Sequence, residues 1–189
     1  MPGTSQIQAA QPPAPAYVAR RWAWIGLLGS ASIGFSLVFA CVTPFVALVT
    51  LAALTMSRRD AFIVTGAVWL ANQALGYGIL DYPRTFDSYA WGAAIGIAVL
   101  LALLAARTIG ERFERSGPFV STGLAFLSAF AVYELALYAA SFWLPGNDTA
   151  FSWAIVGYVL QVNALGLGGL ILLRLVAASV GLGTRTASA

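Results

Sequence analysis

Residues 22 to 56 form one largely apolar run without a charged side chain, and this run constrains the fold more than any other feature. At ~1.5 Å per residue, one helix of that length would be longer than a hydrocarbon core of about 30 Å. Pro44 offers a break, because proline fits the first turn of a helix and disfavours helical geometry at the residue before it. The run is therefore expected to form two helices, over residues 22–41 and 44–57, joined by a fold-back.

The distribution of arginine supports this fold-back. All ten basic residues of the chain are arginines. If the chain turns near Pro44, every arginine except Arg84 lies on one side of a membrane, as the positive-inside rule requires. A single span would instead separate the pair at 20–21 from the pair at 58–59. The two-helix interpretation is therefore preferred.

The composition is that of a membrane protein. Of the 189 residues, 60% are hydrophobic and only 9% are charged, which is more apolar surface than a soluble domain of this size can bury. The net charge of +3 then reports orientation in the membrane and is poor evidence for nucleic acid binding. The expected fold is an all-α bundle of six transmembrane helices with both termini in the cytoplasm. The other four helices are predicted at 61–80, 89–107, 119–143 and 151–176.

The remaining segments are expected to lie outside the lipid. Residues 1–19 are polar and proline-rich and are expected to form a flexible cytoplasmic tail, as are residues 179–189, so the membrane domain covers 20–178. Residues 106–118 are expected to form a solvated cytoplasmic loop or a short amphipathic helix. The aromatic residues of the two long outer loops, at 81–91 and 143–151, fit an interfacial belt or a lid.

Several kinds of chemistry are excluded by residue type. The chain has no histidine and one cysteine, which rules out an internal disulfide, a multi-cysteine zinc site and a histidine-based triad. There is no phosphate-binding loop, so ATP could act only through partner subunits. The protein is expected not to be an enzyme and to hold no intrinsic cofactor, although thiol-assisted chemistry on a bound molecule stays open.

Polar side chains inside the predicted spans are few, and they fall at similar depth in three helices. Buried polar groups are costly in hydrocarbon, so such residues are candidates for a ligand pocket or for hydrogen bonds between helices. Glu134 stands out, because a lone acid without a basic partner in the membrane must be protonated, hydrated or bound to something. Asn163 lies nearby in the sixth predicted helix and is another candidate for interhelical packing. The predicted ligand-binding residues are Asn72, Gln73, Tyr77, Glu134, Tyr158 and Gln161.

Small residues recur at four-residue spacing on the first predicted helix, at Gly26, Ser30 and Gly34. Small side chains in this pattern allow a second helix to approach closely. The second helix could belong to this chain or to a partner subunit.

This layout resembles the substrate-binding S-components of energy-coupling-factor (ECF) vitamin transporters. The shared features are six short helices in under 200 residues, both ends inside, small residues on the first helix and a polar pocket toward the outside. The stretch 43–80, a short hairpin around a basic loop, is similar to their second and third helices. The resemblance implies vitamin capture at the outer face of a bacterial inner membrane. It also implies docking through Gly26, Ser30 and Gly34 onto a coupling subunit with two ATPases, unless the protein acts alone.

Cys41 lies at the predicted outer end of the first helix, where a thiolate could meet a transition metal. Solitary cobalamin transporters of the BtuM family, which this chain resembles in size, use a cysteine to contact the cobalt of the corrinoid. That resemblance implies cobalamin as the transported ligand and Cys41 as its cobalt ligand. Alternatives are a small buried side chain at Cys41, a different vitamin, or an accessory subunit of a larger membrane complex.

Overall fold

The computed structural model describes residues 18, 19, 22, 23, 25–27, 43–146 and 150–179. Within these residues all regular secondary structure is helical, as expected for an all-α protein. The described residues between 18 and 27 have helical backbone, and a 3-10 turn precedes the fourth complete helix. The complete elements are α1 (Phe45–Thr55), α2 (Arg58–Gly78), α3 (Phe86–Arg112), the 3-10 helix Glu114–Ser116, α4 (Pro118–Ser141) and α5 (Trp153–Ser179).

Three of these helices are long and apolar enough to cross a membrane. They are α3, α4 and α5, with 27, 24 and 27 residues, and their apolar 18-residue windows have mean hydropathies of 2.1, 1.6 and 1.8. Large apolar side chains point outward from them, such as Phe119 and Trp153, which are more than nine-tenths exposed. In water such a surface would be an aggregation site, so these helices indicate a membrane protein.

Helix α1 is too short to cross a bilayer alone and lies at the centre of the bundle. Its 11 residues span about 16 Å at the standard helical rise, roughly half of a hydrocarbon core. It packs against α2, α3, α4 and α5, and its side chains are buried around the whole circumference. A helix that is apolar on every face belongs in such a position. Its two interior hydroxyls, on Thr50 and Thr55, donate to the carbonyl oxygens four residues earlier.

Side chains from other helices bind both ends of α1. The amide oxygen Oδ1 of Asn163, on α5, accepts hydrogen bonds from the backbone N–H groups of Val46 and Ala47, at 3.0 and 3.3 Å. At the other end, Arg107 on α3 donates from Nη2 to the carbonyl oxygen of Met56 at 3.4 Å. The first contact satisfies N–H groups that have no partner within the helix, and the second complements the negative end of its dipole.

Helix α3 extends beyond both predicted ends. It begins early because Thr85 caps it, its hydroxyl accepting from the N–H of Ser88. It continues through residues 106–112, where the pair Arg107–Glu111, at 3.0 Å, supports another turn. The expected loop at 106–118 is therefore helical in its first half, and the chain turns only at Gly117, whose φ is +93°.

The bundle has one arginine-rich end. Arg107 reaches Met56, and Ser121 donates to the carbonyl oxygen of Gly110, so the starts of α2 and α4 lie beside the end of α3. At the opposite end, the indole of Trp91 donates to the carbonyl oxygen of Pro145. Among the described arginines, every one except Arg84 lies in or near the first end.

The first predicted span lies mostly outside the described residues. Ile25 and Leu27 pack against the buried core, whereas Gly26 is exposed and a Cβ added to it would meet no atom within 4 Å. The other two members of the small-residue stripe, Ser30 and Gly34, lie outside the described residues, and so does Cys41. Most of the two predicted tails lies outside them as well.

Candidate functional site

A cavity of about 460 Å³ lies at the end of the bundle where α1 begins. Every complete helix contributes to its wall, together with residues 150 and 151 of the segment before α5. Helix α1 starts inside the bundle and does not extend to this end. Its first residues therefore form the floor of the cavity, which a longer α1 would fill. The polar and aromatic lining residues are Thr43, Phe45, Asn72, Gln73, Tyr77, Tyr82, Ser88, Trp91, Tyr133, Glu134, Phe151 and Asn163.

Four of the predicted ligand-binding residues line this cavity together. Asn72, Gln73 and Tyr77 come from α2, and Glu134 comes from α4. These helices are distant in sequence, so their polar groups meet only in the folded bundle.

The other two predicted residues, Tyr158 and Gln161, do not line the cavity. Both are exposed on α5, and this helix instead presents Ile155, Val159 and Asn163 to the cavity. The latter three are spaced by four residues and share one helix face, whereas a neighbouring residue is turned away by about 100°. The depth of Tyr158 and Gln161 in the membrane could be predicted from the sequence, but the rotation of α5 about its axis could not.

Several polar groups of the wall are already bonded within the protein. The amide of Asn72 donates to the hydroxyl of Thr43 at 2.6 Å, and the hydroxyls of Tyr77 and Ser88 lie 3.0 Å apart. Both ends of the Asn163 amide are engaged, since its Nδ2 also donates to the carbonyl oxygen of Val159 at 2.9 Å. For Asn163 the structure thus shows an interhelical packing role.

Two polar side chains of the wall remain available to a ligand. Among the described residues, neither the amide of Gln73 nor the carboxylate of Glu134 has a hydrogen-bond or ion-pair partner. Space for Gln73 depends on Gly92 of α3, because a Cβ at Gly92 would lie 2.5 Å from Oε1 of Gln73. The Gly92 carbonyl in turn accepts a hydrogen bond from the indole of Trp69, at 2.9 Å.

Aromatic rings surround the mouth of the cavity. The ring of Tyr77 contacts those of Tyr82 and Tyr89, with centroids 6.0 and 4.8 Å away, and Phe151 packs on Tyr138 at 5.2 Å. Some of the aromatic residues of the outer loops therefore belong to the cavity wall, which favours the lid interpretation over an interfacial belt for Tyr82 and Phe151. The sequence left the lid and the belt as alternatives, and the shared cavity lining favours the first for these two residues.

The wall of the cavity combines a few polar groups with aromatic rings. It offers one amide, one carboxylate and several ring faces, on a mostly apolar surface, which is the usual make-up of a small-molecule pocket. Within the described residues no group of three His, Cys, Asp or Glu side chains could hold a metal ion. No family model matches this chain, and no curated protein or solved structure matches it either.

Proposed function

We propose that this protein binds a small molecule inside the membrane and serves as the substrate-binding subunit of an uptake system. The observation that carries the proposal is the cavity of about 460 Å³, with uncommitted polar groups from two helices set among aromatic rings. Pockets of this volume hold ligands of drug or vitamin size. The expected resemblance to ECF S-components rests on the sequence layout, in which six helices place a polar pocket toward the outside.

The proposed topology has six membrane-embedded helices, of which α1 crosses only part of the bilayer, with both termini in the cytoplasm of a bacterium and the cavity facing outward across the inner membrane. The support is electrostatic. The end of the bundle away from the cavity carries every described arginine except Arg84, and cytoplasmic loops are enriched in basic residues. Residues 22–41 would supply the first span, and α1 would be a short second helix within the bundle.

The cavity favours a small heterocyclic vitamin over a corrinoid. A corrinoid, with its macrocycle and nucleotide loop, is larger than the ligands that usually occupy such a volume. It would have to extend past the aromatic mouth or part the helices. Cobalamin therefore remains a proposal supported by the family resemblance and by Cys41, which precedes the lining residue Thr43 by two positions.

A ligand screen with matched variants tests the proposal. The purified protein is heated with a panel of vitamins, including cobalamin, because a ligand at 100 times its dissociation constant stabilises a protein by ~2.7 kcal/mol. We expect one ligand to raise the melting temperature of the native protein. Gln73→Ala should weaken its binding, while Gln161→Ala, the same change outside the cavity, should not.

Two results would contradict the proposal. One is that no ligand stabilises the protein, and the other is that both glutamine variants weaken binding equally. If cobalamin is the ligand, Cys41→Ala should abolish the shift in the corrinoid absorption spectrum that a thiolate ligand produces. An unchanged spectrum in that variant would remove Cys41 as the cobalt ligand.

A partner subunit is also part of the proposal, through the surface that includes Gly26. This glycine faces away from the described core and leaves room for a close helix contact. Gly26→Leu should reduce co-purification with a coupling subunit without changing ligand binding. Retained co-purification would favour a protein that acts alone.

A further inference from the structure

The charge of the cavity wall indicates the charge of the ligand, given the proposed binding function on which this inference rests. Glu134 is the only acid in the wall, and no arginine lines the cavity among the described residues. Arg84, two residues after the lining residue Tyr82, donates from Nη2 to the carbonyl oxygen of Tyr77 in an exposed hydrogen bond. Within the described part of the chain, the carboxylate therefore has no cation to balance it.

An unbalanced carboxylate is costly at this place. Glu134 is half-buried in α4, one of the helices long and apolar enough to cross a membrane. Acids inside a membrane protein usually pair with a positive group or lie on the path of a substrate or ion. A positively charged ligand would supply the missing partner.

The aromatic wall favours the same kind of ligand. Rings of Tyr82, Trp91, Tyr133 and Phe151 line the cavity around Glu134. The faces of aromatic rings carry negative electrostatic potential and attract cations, most strongly where water is excluded. Flat ligands also gain from stacking on such rings.

The alternative of an anionic ligand is disfavoured by the end of α1. Helix N-termini bind anions through free backbone N–H groups, and the first turn of α1 opens on this cavity. However, the N–H groups of Val46 and Ala47 already donate to Asn163. Asp81 and Asp87 adjoin the lining residues Tyr82 and Ser88 in sequence and outnumber the nearby Arg84, a charge balance that favours a cation over an anion.

We propose that the cavity binds a planar nitrogen heterocycle bearing a positive charge, held between the aromatic rings with its charge against the Glu134 carboxylate. The affinities for cationic and neutral ligands of equal shape should then differ because of this one side chain.

Three quinoline probes of similar shape test the proposal. They are N-methylquinolinium, which is a cation, quinoline at a pH where it is neutral, and the anion quinoline-2-carboxylate. Equilibrium dialysis against the purified full chain in lipid nanodiscs gives the three dissociation constants. We expect the cation to bind at least about tenfold more tightly than quinoline, which corresponds to ~1.4 kcal/mol, and the anion to bind most weakly.

Variants of Glu134 then test whether this side chain causes the preference for the cation. Glu134→Gln should bring the cation to within about threefold of quinoline, a ratio worth less than ~1 kcal/mol, while quinoline binding stays unchanged and reports intact folding. Glu134→Asp should keep the preference. Glu114→Gln, the same change on an exposed acid at the other end of the bundle, should behave as the native protein.

The outcomes separate this inference from the proposed function. Ile155→Trp enlarges a partly exposed residue of the cavity wall and should block all three probes. If the probes bind in a way that Ile155→Trp blocks but the cation has no advantage, or if Glu134→Gln keeps the advantage, only the charge proposal is overturned. If no probe binds, or if Ile155→Trp has no effect on binding, the proposed function of the cavity is overturned as well.

Discussion

Replacing Asn163 with leucine should destabilise the bundle by uncapping its central helix. The side chain of Asn163 is 1% exposed, and its Oδ1 accepts from the N–H groups of Val46 and Ala47. Leucine has the same branch point as asparagine but is larger, so the change removes the hydrogen bonds without opening a cavity. Val46 and Ala47 are themselves 0% exposed, so water has little access to these N–H groups.

The magnitude follows from the two N–H groups that lose their acceptor. A buried donor left without a partner costs about 1–3 kcal/mol. Hydrogen bonds between membrane helices average a smaller ~0.6 kcal/mol, because the reference state in the membrane also finds partners. The two uncapped backbone groups have no such alternative partner in a folded α1, so together they should cost roughly 2–6 kcal/mol.

Asn72→Leu is the matched control. Asn72 makes one side-chain hydrogen bond, to a hydroxyl of Thr43 that can rotate toward another partner. Its loss should cost about 0.5–1 kcal/mol. The free energy of unfolding in mixed detergent micelles, followed by tryptophan fluorescence, measures both variants.

Hydrogen exchange provides a local check of the same prediction. The amides of residues 46 and 47 should exchange faster in Asn163→Leu and should keep their native rate in Asn72→Leu. If Asn163→Leu costs no more than Asn72→Leu, or if the exchange of these two amides is unchanged, the assignment of Asn163 as the cap of α1 is wrong.

Two further predictions concern glycines. Gly166→Ala should lower the melting temperature, because its Cβ would lie 2.8 Å from the Cβ of Pro44 and would push α5 away from α1. The control is Gly157→Ala, which has open space around it and should be neutral or stabilising by up to ~1 kcal/mol. Thermal unfolding of the two variants side by side measures this, and equal losses would contradict the close packing of α5 on Pro44. Gly92→Ala should weaken binding of whichever ligand the screen identifies, because the added methyl group displaces the Gln73 amide. Dialysis measures the change, and unaltered affinity would exclude Gln73 from the ligand site.

The helical class and the approximate positions of α2, α3, α4 and α5 could be predicted from the sequence alone. In lipid every backbone polar group needs a partner within the protein, so a long apolar run without a strand pattern forms a helix. Depth follows from counting residues along each helix, which is why Asn72, Gln73, Tyr77 and Glu134 could be expected at one level. Helix ends were less certain, because local contacts such as the Thr85 cap and the Arg107–Glu111 pair decided them.

Only the tertiary structure decided which face of each helix points inward. Lipid tails are as apolar as a protein core, so hydropathy does not distinguish a residue that packs inside the bundle from one that faces lipid. For this reason Tyr158 and Gln161 could not be separated from Asn163 by sequence, although they are exposed and Asn163 is buried on α1. The sequence alone determines the number, order and approximate depth of the polar groups. Their convergence on one cavity depends on how each helix is rotated and packed.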